Sequence, residues 1–264
     1  SPHSGAHYPE AFVAQSNLDL NSLRRSEDYN VHHLFACVPD FGAPLLHANF
    51  PRAFCDVNRE AYELDPEMFS DALPAFVNKH SPRVASGIGT IPRRVSADAE
   101  IHKGKLTFAE AEARINACYF PYHAALSDLL AACVHRFGFA LLIDCHSMPG
   151  NEGAAPDAPQ LGHMVLGNRF GRTCPPEMSD FVAGTLDALG YTVRFNTPYA
   201  GGYITRHYAD PIQQIHTLQI EISRDLYMDQ SRLEMTDRAP LLMADISRLL
   251  GRLNTYFDQV TQKV

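Results

Sequence analysis

The stretch Phe139-Ala-Leu-Leu-Ile-Asp-Cys-His-Ser-Met-Pro-Gly150 constrains the fold more than any other part of the chain. It begins as an unbroken apolar run, turns polar at Asp144, Cys145, His146 and Ser147, and ends in Pro149-Gly150, which no regular element continues through. A short run that is apolar on both faces and closed by turn residues is the pattern of a strand covered on both sides, as in the middle of a parallel sheet. Open α/β sheets bind ligands at the carboxyl ends of such strands. Asp144 and His146 therefore lie where chemistry takes place; the alternative is a strand end with a hydrogen-bonded histidine.

Other segments fit that frame. Thr107-x-x-Glu110 is a capping box, and Ile115, Tyr119, Tyr122, Leu126, Leu129, Leu130 and Val134 follow at helical spacing. This predicts a helix over 107–136, kinked or broken at Pro121 and ended by Gly138. Residues 163–167 and 191–195 read as strands, with a helix over 175–189 that starts on prolines and is capped by Gly190. Residues 216–223 alternate and read as a strand carrying Glu221 between Ile220 and Ile222. A last helix covers 240–260. Ser26 is expected to cap a helix reaching residue 35, with Glu27 and Asp28 in its first turn. A short strand is expected just before Asn58-Arg59, and one more within an irregular stretch over 60–100. Residues 150–162 form a loop long enough for a lid, and 197–208 a polar-aromatic loop. Ser1-Pro2-His3-Ser4-Gly5 resembles another strand-end loop, which predicts a strand ahead of it; a frayed terminus is the alternative. Strands alternate with helices about a buried strand. The expected fold is α/β, three-layered, with a mostly parallel or mixed central sheet and helices on both faces, in one domain over 1–264.

Composition removes some functions. The net charge is -8 and there is no basic stripe, which argues against nucleic acid. No apolar run approaches the ~20 residues of a membrane helix, and the start has no signal-peptide pattern. The six cysteines include no C-x-x-C pair, so free thiols in a cytoplasmic protein are expected. Histidines number 13, so each needs local support before it is taken as a ligand.

Glu221 is a carboxylate in an apolar strand, which is costly unless it is paired or its pKa is put to use. It is either a structural residue paired with nearby Arg224 or a general base or acid. His3 and His146 both follow predicted strands. Two histidines, a carboxylate and an open position make a catalytic zinc site, in which the cation activates water and polarises a carbonyl. No H-E-x-x-H occurs, so spacing alone does not select this chemistry. Ser147 follows His146, but the G-x-S-x-G of a serine hydrolase is missing. Arg59 suits bidentate binding of a carboxylate; an ion pair with Asp56 or Glu60 is the alternative.

Six motifs, taken in order, resemble the N-formylglutamate amidohydrolase family over most of the chain. They are Ser1-Pro2-His3-Ser4-Gly5, Asp56-Val57-Asn58-Arg59, Asp144-Cys145-His146-Ser147-Met148-Pro149, Val165-Leu166-Gly167-Asn168-Arg169, Gly201-Gly202-Tyr203-Ile204-Thr205-Arg206 and the run from Gln219-Ile220-Glu221 to Met228. That family is similar to the zinc carboxypeptidases and aspartoacylases, with a phosphorylase/hydrolase-like fold. The resemblance implies hydrolysis of a small anionic N-acyl amino acid, N-formyl-L-glutamate, to formate and L-glutamate, as in histidine breakdown. An amidohydrolase for another N-acyl amino acid or small peptide, and a non-catalytic binding protein of the same fold, stay open. By resemblance, His3 and His146 are zinc ligands, with Asp28, or Glu27 beside it, as the carboxylate ligand; cobalt or manganese would suit the same donors. Glu221 corresponds to the general base. Asn58 and Arg59 would grip a substrate carboxylate, Arg206 would supply a second cation, and Tyr203 and Arg169 would complete the substrate contacts. The chain departs from the family pattern at His32 and Asn168, where an acidic residue is expected.

Overall fold

The computed structural model describes residues 1–150 and 162–261. Apart from its two end residues, the predicted lid loop at 150–162 lies outside the described residues. Contacts divide the chain into two compact units, each drawn from separated stretches. One comprises residues 2–29 and 46–129; the other comprises residue 1, 30–45 and 130–264.

The first unit is largely irregular. One buried cluster in it is Phe12, Leu23, Ala53 and Ile101, with Tyr8, Val13, Leu18, Phe54 and Val95 packed on it. The helix expected from Ser26 to residue 35 is cut back to Val31–Leu34 and does not begin at Ser26. Asp19 caps an earlier helix, Leu20–Arg24, by accepting from the Ser22 amide, and the Ser26 hydroxyl donates back to the Leu23 carbonyl at 2.9 Å. A serine so used closes a helix instead of opening one. Glu27 and Asp28 are left on non-helical backbone, where tertiary partners set their side chains. The short strand expected before Asn58 is a series of turns, and a two-stranded hairpin, Arg94–Ser96 with Ala99–Glu100, supplies the regular structure near the end of the 60–100 stretch.

The capping box forms as expected and opens α1 (Phe108–Arg114). α2 (Phe120–Phe137) follows after a π-helical turn at Ile115–Tyr119. Pro121 has no N–H to donate to the carbonyl four residues back and its ring crowds that carbonyl. The chain accommodates this by widening one turn, not by breaking the helix. Gly138, at φ +78°, ends α2.

The second unit holds the main sheet. β1 (Ala140–Met148), β2 (Met164–Gly167), β3 (Val193–Phe195) and β4 (Ile215–Ser223) lie in the order β1-β4-β2-β3. β1 and β4 run parallel, β2 runs antiparallel to β4, and β3 runs parallel to β2. The protein is thus α/β with a mixed central sheet. β4 is flanked on both edges and buried along its length except at Ile215, so the alternation seen in sequence is not an inside-outside pattern. Its polar residues are buried with its apolar ones. Helices flank the sheet: α3 (Pro176–Ala188) touches β3, and α4 (Tyr203–His207) touches β1 and β4. Five residues of the expected 197–208 loop are therefore helix. α5 (Ala239–Thr261) buries Ala239, Leu242, Ile246, Leu249, Leu250 and Leu253, one stripe at helical spacing. Each buried Leu or Ile of that stripe contributes about 1.5–3 kcal/mol. No helix among the described residues is long and apolar enough to cross a membrane.

Candidate functional site

The register of β1 and β4 sets Asp144 beside Gln219 and His146 beside Glu221. Side chains two apart on a strand share a face, so all four lie on one side of the sheet. All four are buried. His146 Nε2 is 2.9 Å from Asp144 Oδ1. A carboxylate only accepts, so Nε2 carries the proton of this hydrogen bond, and in the neutral ring that leaves Nδ1 with the lone pair. The Thr205 hydroxyl, on α4, donates to Asp144 Oδ2 at 3.1 Å. The Gly202 amide donates to Gln219 Oε1 at 2.8 Å, and Gln219 Nε2 donates to Glu221 Oε1 at 2.9 Å. Ser147 accepts from Arg224 Nε at 3.2 Å.

The first unit repeats the carboxylate-histidine arrangement. His3 Nε2 lies 2.8 Å from Asp56 Oδ1, and His3 Nδ1 lies 3.4 Å from Asp28 Oδ2. The Asp28 amide donates to the His3 carbonyl at 3.0 Å, which fixes the two segments side by side. A Cβ on Gly5 would fall 2.2 Å from the Phe50 carbonyl oxygen, so only glycine lets the chain pass after His3-Ser4. A neutral His3 with its proton on the Asp56 side would turn a lone pair toward the Asp28 carboxylate, an arrangement suited to a cation.

Asp56 also receives Arg52 Nη2 at 2.8 Å, Arg59 Nη2 at 3.2 Å and the Asn58 amide at 2.9 Å. Burial alone would raise its pKa, but Arg59, His3 and Arg52 together hold it well below the usual carboxylate range. Arg59 is itself buried, and burial pulls its guanidinium down to about 10 against the pull of Asp56. Besides Asp56, it donates to the carbonyls of Ile88 and Asn58, each at 2.7 Å. The ion-pair alternative for Arg59 is therefore realised with Asp56. Tyr119, from the π turn, donates its hydroxyl to the Arg59 carbonyl at 2.9 Å, and His123 Nε2 reaches the Val57 carbonyl at the same distance.

His3, Asp28 and His146 are all buried, and each offers one ligand atom, all within 4.8 Å of one another; this group could hold a metal ion. Glu27 is otherwise engaged, accepting from the Tyr8 hydroxyl at 2.8 Å and from Arg24 Nε at 3.2 Å. Arg206 is exposed on α4, with its guanidinium 5.9 Å from the centre of the half-buried Tyr203 ring. Arg169 follows β2, whose carboxyl end points toward the amino ends of β1 and β4 because the strand is antiparallel to β4. Arg169 Nη1 donates to the Gly201 carbonyl at 3.0 Å. Sequence reasoning missed Asp56 as the partner of His3, and missed Gln219, Thr205, Tyr119 and His123. The spacing of Tyr119 and His123 on one helix face was a usable signal; nothing local announced the others.

A mixed α/β sheet whose paired strands carry a buried histidine and glutamate, with a buried group of histidine and carboxylate ligand atoms, has the framework of an α/β hydrolytic enzyme. Comparison with known proteins narrows the class. A family model described as N-formylglutamate amidohydrolase matches residues 1–228, and the chain belongs to that family of hydrolases acting on amide bonds. It is 27% identical over 240 residues to an N-formylglutamate deformylase of Pseudomonas putida, covering 87% of this chain and 80% of that one. A Pseudomonas aeruginosa deformylase is 28% identical over 237 residues, with the same coverage. Among solved structures, the N-formylglutamate amidohydrolase of Ralstonia eutropha superposes with a TM-score of 0.91 at 36% identity, covering 98% of this chain and 92% of that one. A gene product of Agrobacterium tumefaciens, 19% identical, shares the fold with a TM-score of 0.66 over 96% of this chain and 89% of its own.

Proposed function

We propose that this protein hydrolyses the amide bond of N-formyl-L-glutamate, giving formate and L-glutamate, in a metal-dependent reaction. The observation that carries the reading is the buried group of His3, Asp28 and His146 in a chain of this family. These three residues would hold zinc, and the same donors would also accept cobalt or manganese. A divalent cation bound there supplies a water of lowered pKa and a polarised formyl carbonyl. Asp56 and Asp144 keep the two imidazoles turned with Nε2–H toward a carboxylate, leaving Nδ1 as the ligand nitrogen. Glu221 takes the proton from the attacking water. As the new C–O bond forms and the C–N bond breaks, it returns that proton to the departing amine nitrogen.

Asn58, Arg59, Tyr203, Arg206 and Arg169 bind the carboxylates of the substrate. Hydrogen bonds to Asp56, Ile88 and Asn58 engage three of the five N–H donors of Arg59. Residues 1–264 act as one amidohydrolase domain in the cytoplasm, a reading supported by six free cysteines.

The test is formate release from N-formyl-L-glutamate, run beside a small panel of other N-acyl amino acids, on protein of measured metal content. Preferred cleavage of the formyl-glutamate is expected. Faster turnover of another member would reassign the substrate, and no hydrolysis of any member would leave a binding protein. Glu221→Gln should lower kcat by at least ~100-fold with zinc still bound; near-normal turnover would remove Glu221 from its role.

A further inference from the structure

We propose that Gln219 is a positioning residue that fixes the Glu221 carboxylate and ties it to the segment carrying Tyr203 and Arg206. The proposal rests on Glu221 being the general base. Gln219 is buried in the middle of the central strand β4. A buried amide needs partners at both ends, and this one has them from two different elements. Its Nε2 donates to Glu221 Oε1 on its own strand, and its Oε1 accepts from the Gly202 amide at the start of α4. Those neighbours fix which way the amide faces, because a flip would set oxygen against carboxylate and N–H against N–H.

The strand fixes only the Cα of Glu221. Its carboxylate swings on three side-chain torsions, and a hydrogen bond to one oxygen limits that freedom. The return is large in catalysis, since a misplacement of about 1 Å can cost on the order of 100-fold in rate. The same segment also touches the other side of the site. Thr205 Oγ1 is 3.1 Å from Asp144 Oδ2 and 3.2 Å from Gln219 Oε1, and its single proton serves the carboxylate. One turn of α4 therefore adjoins both the residue that orients His146 and the residue that orients Glu221. A shift of Tyr203 and Arg206 reaches Glu221 through Gln219.

A purely structural Gln219 would serve only to anchor Gly202, and two variants separate that role from the proposed one. Gln219→Glu keeps an acceptor for the Gly202 amide but sets an oxygen against Glu221. Gln219→Met removes both bonds at similar volume. Each would be assayed in the full chain for kcat and KM on N-formyl-L-glutamate, metal content and melting temperature. The expected result is kcat lowered about 10- to 100-fold in both, with metal content retained and KM within about threefold in Gln219→Glu, where the Gly202 anchor stays. Wild-type kcat in Gln219→Glu overturns the proposal, because the anchor alone would then suffice. If the buried charge of Gln219→Glu prevents folding, Gln219→Asn replaces it: an amide one carbon shorter cannot span both partners, and wild-type kcat in that folded variant overturns the proposal equally. Glu221→Gln separates the two readings. If it retains turnover, the general-base assignment fails; if it is inactive while folded Gln219 variants turn over normally, only the positioning role fails.

Discussion

Each candidate histidine ligand leans on an aspartate: His3 on Asp56 and His146 on Asp144. Loss of such a partner weakens metal binding by about 10- to 100-fold. Asp144→Ala should show this in competition with a chelator while the far-UV spectrum stays that of the folded protein; unchanged affinity would remove Asp144 from the support of His146. The two pairs differed in how readable they were. Asp144 and His146 are two apart on a strand, hence on one face, and their pairing follows from local sequence. Asp56 lies 53 residues from His3, and no local pattern links them. A half-buried imidazole, His102, acts on stability. Burial, aided by the charge of Arg114, pushes His102 down to about 4, against a hydrogen bond to the Pro92 carbonyl. Between there and the ordinary value of ~6.5, the unfolded chain binds a proton that the folded chain does not. Stability contributed by this residue therefore rises with pH across that window and is level above it. Melting temperatures at pH 5 and pH 7.5 should differ more for the wild type than for His102→Gln. Equal differences would show that His102 titrates normally in the folded state.

Among the elements, the π turn at Ile115–Tyr119 joins packing to the site. It aims Tyr119 and His123 at the backbone carbonyls of Arg59 and Val57, so the Asn58-Arg59 loop is held from its main chain. Tyr119→Phe removes one hydrogen bond, worth about 1 kcal/mol. The expected signature is a raised KM for the anionic substrate with little change in kcat; an unchanged KM would detach the turn from substrate binding. Thr107→Ala tests the ordinary side of the same helix. Loss of the capping box should cost about 1 kcal/mol and lower the melting temperature with kcat/KM unaltered. The capping box could be read from four residues. The widened turn could not, because Pro121 signals trouble in a helix without saying whether the chain will kink, break or widen. Strand direction was likewise hidden. The run before Asn168 gave the strand but not its antiparallel course against β4.

For the whole molecule, a bound cation stabilises the folded state by mass action, by about 2.7 kcal/mol when the free metal exceeds its Kd 100-fold. Dialysis against a chelator should abolish turnover and lower the melting temperature, and added zinc should restore both; full activity in protein proven metal-free would end the metal-dependent reading. The α/β class was legible because the β and helical segments alternate along residues 139–260. The unit made from residues 2–29 and 46–129 was not, since its centre gathers aromatic and aliphatic residues from turns and short helices that follow no period. The sheet order has a further consequence for how the chain is made. β4 sits between β1 and β2, yet it is the last of the four strands to leave the ribosome. From the end of β2 at Gly167 to the start of β4 at Ile215 is 48 residues (215 − 167), or roughly 2–10 s of synthesis. Through that interval β1 and β2 are already made but lack the strand they will share, and their ladder edges are open to any passing strand. A nascent chain halted before Ile215 should be protease-sensitive and engaged by chaperones, and release from both should come only once Ser223 has emerged. The strand that brings Glu221, the proposed general base, is also the strand that closes the sheet, so that carboxylate arrives in the same event that makes the sheet safe.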